Sequence, residues 1–403
     1  MRFVALLALF VAVNACAQPP RGIAPAVIPG VEALAASTPP ILRGKRVGII
    51  TNQTGIDRAR RRTIDIMAAA TDYRLVAIFS PEHGIFGVAR DGETIDSGHD
   101  QRTGLPVHSL YGATRAPTPA MLDSVDALVF DIQDAGVRQY TYTSTLGLTM
   151  QAAAAKGIPY VVLDRPDPVT GNILEGGMLD TAYKSFVGLY PIISRYGFTI
   201  GEMAQYLNGT FNFGTNLTVV RAAGWRRSMW YDETGLPFVA PSPNLPRVES
   251  LVSYPGTVYI EGTNLSEGRG TEFPFEQAGA PWLNADSIAK LMNARMLPGV
   301  RFEAARYTPR AASQKYNGIA INGVRFIVTD RAQYRPIMTT LLLIDAIRTL
   351  HPNEFAWSAT INRLAGTDQV RKAIEQHTLP ALLLSWEAQS AAFAKARTPF
   401  LLY

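Results

Sequence analysis

Brief apolar runs alternate with segments of helical character along the first half of the chain. Residues Arg46–Thr51 (RVGIIT), 75–79 (LVAIF), 127–130 (ALVF), 160–163 (YVVL) and 217–220 (LTVV) are short, rich in β-branched residues and bounded by polar or turn residues. Such runs read as strands. Between them, 64–70, 119–124, 146–156 and a segment ending at Asn208 read as helices. Thr118 and Pro119 supply an N-cap and a first-turn proline, and Thr199 with Glu202 makes a capping box. Continuous apolar strands separated by helices predict an α/β fold, a parallel sheet covered on both faces.

The second half is patterned differently. Residues 225–246 are dense in Trp, Pro and Gly, which excludes regular helix or strand and predicts an ordered loop pinned by aromatic packing. A strand is expected at 257–260, a helix at 285–296, and a strand at 302–306. Paired strands are expected at 319–321 and 324–328, with Asn322-Gly323 as a two-residue hairpin turn. Helices at 338–350, 368–375 and 382–394 complete a smaller α+β domain. The expected boundaries are a lead-in over 18–40 with one short helix, an α/β domain over 41–250, and an α+β domain over 251–403 that completes a cleft.

Composition adds limits to this picture. The 403 residues are 47% hydrophobic and 18% charged, enough apolar material for sizeable cores and too little charge for a disordered chain. Lys+Arg 38 against Asp+Glu 33 leaves +5, and no basic run exceeds Arg60-Arg61-Arg62, which disfavours nucleic acid as a partner. A single cysteine excludes a disulfide framework and a cysteine-based zinc site. That cysteine follows a basic Arg2 and an apolar run over 3–13, the pattern of a secretory signal over 1–17. The run is too short to span a membrane, which takes about 20 residues. Two processing routes compete: cleavage after Ala17, which removes Cys16, or a lipobox at 13–16, which leaves Cys16 as a lipid anchor. Either way the expectation is an exported protein, periplasmic or secreted, with no transmembrane segment.

The informative residues stand just after the strands. Asn52 follows the first, Glu82-His83 the second, Asp131 the third, and Asp164-Arg165 the fourth. Ligands in open parallel sheets bind beyond the carboxyl ends of the strands, where these groups would converge. One such Asp is more often a helix cap than a catalyst; four strands ending this way favour a site. No G-x-G-x-x-G follows the first strand and no P-loop occurs, so a nucleotide lacks its phosphate cradle. The five histidines show no close metal-ligand spacing and no G-x-S-x-G elbow is present. No cofactor and no metal are therefore expected. Carboxylates with a histidine are left as candidate catalysts, suited to general acid–base chemistry such as glycoside hydrolysis. A second dense segment, EGTNLSEGRGTE at 261–272, puts three glutamates, an arginine and three glycines into twelve residues.

Longer motifs carry a family resemblance. GIITNQTG at 48–55, SPEHGIFG at 80–87, TGLPVHSLYG at 103–112, FDIQD at 130–134, YTYTSTL at 140–146 and EGTNLSEGRGT at 261–271 are similar to the NamZ-type exo-β-N-acetylmuramidases, over about residues 30–403. The resemblance implies a Rossmann-like N-terminal domain without nucleotide, a smaller C-terminal domain, and an active site between them. It also implies release of terminal N-acetylmuramic acid from the non-reducing ends of peptidoglycan fragments, so that the partners are muramic-acid-terminated saccharides. Glu82 is then the candidate general acid with His83 beside it, and Asp131, Glu261 and Glu267 compete for the second carboxylate. The 2-acetamido group of the substrate is an alternative nucleophile. The lactyl carboxylate of muramic acid calls for a bidentate arginine, for which Arg138, Arg165 and Arg269 are candidates. Asn52, Asp164, Asn244, Glu261 and Asn264 complete the candidate substrate-binding set. Rival readings are a β-N-acetylglucosaminidase or amidase on the same site, and a non-catalytic wall-binding lipoprotein.

Overall fold

The computed structural model describes residues 26–89, 92–310 and 315–403. The leader and Cys16 lie outside the described residues. The main sheet is built from β1 (Arg46–Thr51), β2 (Arg74–Ser80), β3 (Gly98–His99), β4 (Pro106–Ser109), β5 (Ala127–Asp131), β6 (Tyr160–Leu163) and β9 (Leu217–Val220). Its order is β3-β4-β2-β1-β5-β6-β9. All pairings are parallel except the short β3–β4 edge. Between β6 and β9, β7 (Glu175–Met178) and β8 (Ile193–Arg195) form a separate antiparallel pair.

The sheet is sandwiched as the apolar runs require. Val47, Ile49, Ile78, Val129 and Val161 point to one face, packed with Val31 and Leu34 of α1 (Gly30–Ala36) and Ile64 and Met67 of α2 (Thr63–Ala68). Ile50, Phe79, Leu128, Phe130 and Val162 point to the other face. There they meet Leu146 and Met150 of α3 (Tyr142–Lys156) and Met203 and Leu207 of α4 (Ile200–Thr210). The α4 capping box is present: Thr199 accepts from the Glu202 amide (3.2 Å), and Glu202 accepts from the Thr199 amide (3.0 Å). Segment 119–124 is only a single 3-10 turn, Ala120–Leu122.

The second face of that sheet is continuous with everything that follows. Residues after 250 form α5 (Val248–Thr257), β10 (Gln277–Ala280), α6 (Ala285–Ala294), β11 (Val300–Tyr307), β12 (Ile321–Val328), α7 (Pro336–Leu350), α8 (Ile361–Ala365), α9 (Gln369–Glu375) and α10 (Leu379–Arg397). A single apolar cluster runs from Ile50 and Phe130 through Leu251, Tyr259 and Leu341 to Trp386 and Phe393. Trp225 and Trp230 in the aromatic loop are buried, filling core as the packing reading of that loop requires.

Two further expectations are corrected. Residues 257–260 are not a strand; they finish α5 and continue as a 3-10 turn, Val258–Gly262. Their β-branched pattern is overridden by packing of α5 on α7, where a Cβ on Gly256 would come within 1.9 Å of the Pro336 carbonyl oxygen. Asn322-Gly323 is not a hairpin turn either. Both residues lie inside β12, the central strand of an antiparallel sheet of order β10-β12-β11. Gly323 sits opposite Gly279, and a Cβ there would meet the Ala278 carbonyl oxygen at 2.4 Å. Close approach of two backbones, not a turn, is what this glycine provides.

Candidate active site

Glu82 leaves the carboxyl end of β2 through a turn in which His83 (φ 68°) and Gly84 (φ 76°) are both left-handed. Glu82 is 8% exposed, and its side chain is held by neutral donors. The Thr141 hydroxyl donates to one carboxylate oxygen (2.6 Å), and the Gly92 amide donates to the other (3.0 Å). The phenol of Tyr111 lies against it and is pushed up to about 12, by burial first and then by the Glu82 charge.

Glu82 opens on a cavity of about 470 Å³. Gly92, Tyr111 and Arg115 line it from the region after β2, Ser185, Phe186 and Val187 from the β7–β8 connection, and Glu261, Glu267, Arg269, Lys315, Ser358, Thr360 and Arg363 from beyond residue 250. Glu267 is fixed between two cations, accepting from Arg269 (3.2 Å) and Lys315 (3.2 Å). Burial pushes its carboxyl up, but the charges of Lys315 and Arg269 outweigh this and hold it below the ordinary value. Arg269 also bridges Glu261 (3.0 Å), and Lys315 donates to the Ile260 and Leu265 carbonyls. Among the described residues, Glu82 is the lining carboxylate that has no cation within ion-pair distance.

The structure thus brings Glu82, Glu261, Glu267 and Arg269 to one cavity. His83 is turned aside: its Nδ1 pairs with the Ala89 carbonyl (2.8 Å) and it lines a neighbouring hollow of about 260 Å³ with Ser80, Ile95 and His99. The other strand-end residues are engaged in framework contacts. Asp131 is completely buried in a two-point pair with Arg165 (2.5 and 2.9 Å) and also accepts from Thr63. Asp164, pushed up to about 6 by burial, accepts from the Gly201 amide, Thr199 and the Tyr403 hydroxyl. Its carbonyl accepts from the Gly30 amide, so the chain's own early and final segments cover that strand end.

Asn52 accepts from the Thr54 amide and hydroxyl and donates to Tyr142 (2.7 Å), fixing the turn after β1. Arg138 is 1% exposed and donates to the Ala365 carbonyl (2.9 Å) at the end of α8. Asn264 clamps the backbone of Glu354 and Ala356. The Asn244 amide donates to the Ser242 hydroxyl (3.2 Å) in the buried proline-rich loop. Asn52, Asp131, Arg138, Asp164, Arg165, Asn244 and Asn264 thus lie outside the lining of the Glu82 cavity.

Sequence reasoning did not single out Tyr111, Arg115, Thr141, Lys315 or Arg363. Tyr111 and Thr141 lie inside the quoted motifs at 103–112 and 140–146, a usable signal; Lys315 and Arg363 have no comparable mark. Among the described residues, no group of three His, Cys, Asp or Glu side chains is arranged to hold a metal ion, and no helix is long and apolar enough to cross a membrane.

An α/β parallel sheet whose strand-end glutamate faces a charged cavity completed by a later α+β segment fits a hydrolase that uses carboxylates as its catalysts. The chain belongs to the NamZ exo-β-N-acetylmuramidase family: residues 47–249 match the N-terminal model of that family and residues 252–403 the C-terminal one. It is 45% identical over 382 residues to the peptidoglycan β-N-acetylmuramidase NamZ of Bacillus subtilis (strain 168), covering 94% of this chain and 92% of that protein. Two crystal structures of DUF1343 family proteins from Bacteroides fragilis NCTC 9343 are also similar. One has TM-score 0.87 and 34% identity over 95% of this chain and all of that one. The other has TM-score 0.74 and 31% identity over 94% and 99%.

Proposed function

We propose that this protein is an exo-acting glycoside hydrolase that releases terminal N-acetylmuramic acid from the non-reducing ends of peptidoglycan fragments, with Glu82 as its general acid. The observation that carries the assignment is the state of Glu82, a buried carboxylate open to the cavity and held by Thr141 and Gly92 without an ion-pair partner. A group so placed can deliver a proton to the glycosidic oxygen as the bond breaks and recover it afterwards, whereas Glu267 is committed as an anion by Lys315 and Arg269. The name of the Bacillus subtilis relative supports the same substrate. The apolar run over 3–13 and Cys16 support action outside the cytoplasm, with or without a lipid tether.

Product analysis tests this directly. Incubated with a muramic-acid-terminated disaccharide, the enzyme should release free N-acetylmuramic acid. Release of glucosamine from a glucosamine-terminated disaccharide instead would make it a glucosaminidase. Tight binding with no release from either would make it a wall-binding protein.

A further inference from the structure

We propose that Arg115 is the residue that reads the carboxylate of the substrate's lactyl group and thereby sets the preference for muramic acid over neutral amino sugars. The proposal rests on the muramidase reading above and adds to it the identity of the specificity-determining group.

Three observations carry it. First, the guanidinium of Arg115 lies over the Tyr111 ring at 3.6 Å and over the Phe186 ring at 4.8 Å, and the two ring centroids are 5.8 Å apart with a 50° tilt, so the rings form an aromatic corner that clamps it. Second, its Nη1 is shielded from solvent and has no hydrogen-bond partner. An arginine nitrogen left without an acceptor in such a place is costly unless a ligand completes it, and a planar guanidinium is shaped for a carboxylate. Third, the charges around the cavity do not balance. Arg269 and Lys315 are matched by Glu261 and Glu267, while among the described lining residues Arg115 and Arg363 have no carboxylate within ion-pair distance. When Glu82 carries its catalytic proton, the cavity is left cationic and suits an anionic sugar.

The expected arginines do not serve. Arg165 is already bound to Asp131 and Arg138 to carbonyls of α8, and neither lines the cavity. Arg269 is held by two glutamates. Arg115 also lies close to the acid, since its clamp ring, Tyr111, abuts Glu82. A carboxylate bound there orients the sugar so that its glycosidic oxygen faces Glu82, the proton donor.

The test compares a chromogenic muramic acid glycoside with its lactyl methyl ester, identical but uncharged, on wild type, Arg115→Met, Arg115→Lys and Arg363→Met. Wild type should prefer the acid, and Arg115→Met should lower kcat/KM on the acid about 10- to 100-fold, chiefly through KM, the usual scale for a lost charged hydrogen bond. The acid-to-ester ratio should collapse toward one, with Arg115→Lys keeping part of it and with unchanged melting temperatures. Equal losses on acid and ester would show that Arg115 only supports Tyr111 and the loop, and would overturn the proposal. So would an intact ratio in Arg115→Met, or collapse in Arg363→Met instead. If wild type hydrolyses neither glycoside, it is the muramidase reading that fails.

Discussion

Thr141 occupies the N-cap position of α3 but gives its hydroxyl to Glu82, 2.6 Å away, and forms no side-chain cap of its own helix. A cap contributes typically about 1 kcal/mol, so a helix of fifteen residues forgoes it here in favour of the catalytic carboxylate. Thr141→Val should therefore cost the fold about 1–2 kcal/mol, for the buried hydrogen bond rather than for a cap, and lower kcat by about 10- to 100-fold. Thr141→Ser should restore most of the rate. A melting scan beside steady-state kinetics checks both halves of the statement.

Glu82→Gln preserves size and the acceptor for Thr141 or Gly92 but cannot give up a proton. The expected loss in kcat is about 10²–10⁴-fold, with the muramic acid glycoside still bound. Activity within about threefold of wild type would mean that another group supplies the proton.

Glu267→Gln removes the anion that Lys315 and Arg269 share. The protein should lose about 3 kcal/mol at neutral pH, at the low end for a broken buried pair because Lys315 is 24% exposed and retains access to water. Because the folded-state carboxyl lies below its ordinary value of 4.5, its contribution is fully present above that pH and fades as pH falls through the folded value. The gap in denaturation midpoint between variant and wild type should accordingly narrow in acid.

Asp167 behaves in the opposite sense. Burial pushes its carboxyl up to about 8, with one oxygen left without a partner. A raised folded-state value means that the stability it contributes is present below about pH 4 and is lost as pH rises toward 8. Buried Asp134 and Asp164 (about 6) and Glu175 (about 7) act the same way at lower pH. The wild-type melting temperature should fall between pH 5 and about pH 8.5, and Asp167→Asn should flatten the part of that fall above about pH 7. Parallel curves for the two proteins would show that Asp167 is ionised throughout.

The parallel core and Glu82 were legible because one physical rule covers both: apolar strands bury on two faces and expose their ends. The same rule placed Asp131 and Asp164 in the crevice, where the structure instead closes them with Arg165, Gly30 and Tyr403. Nothing in a local pattern says that residue 403 will return to residue 164. The charged segment at 261–272 was legible from density alone, and Glu261, Glu267 and Arg269 do reach the cavity. Residues 257–260 and Asn322-Gly323 misled for one shared reason. A β-branched run and an Asn-Gly pair each have a local preference, and in both places the approach of another backbone, at Pro336 and at Gly279, decided the outcome.

The cavity wall is collected from positions 82–115, 185–187, 261–269, 315 and 358–363. A ribosome must have issued nearly nine-tenths of this polypeptide before Arg363 can join Glu82. The closed cavity is thus among the last features the growing chain can form, because its wall and the apolar core beneath it both wait for residues beyond 350.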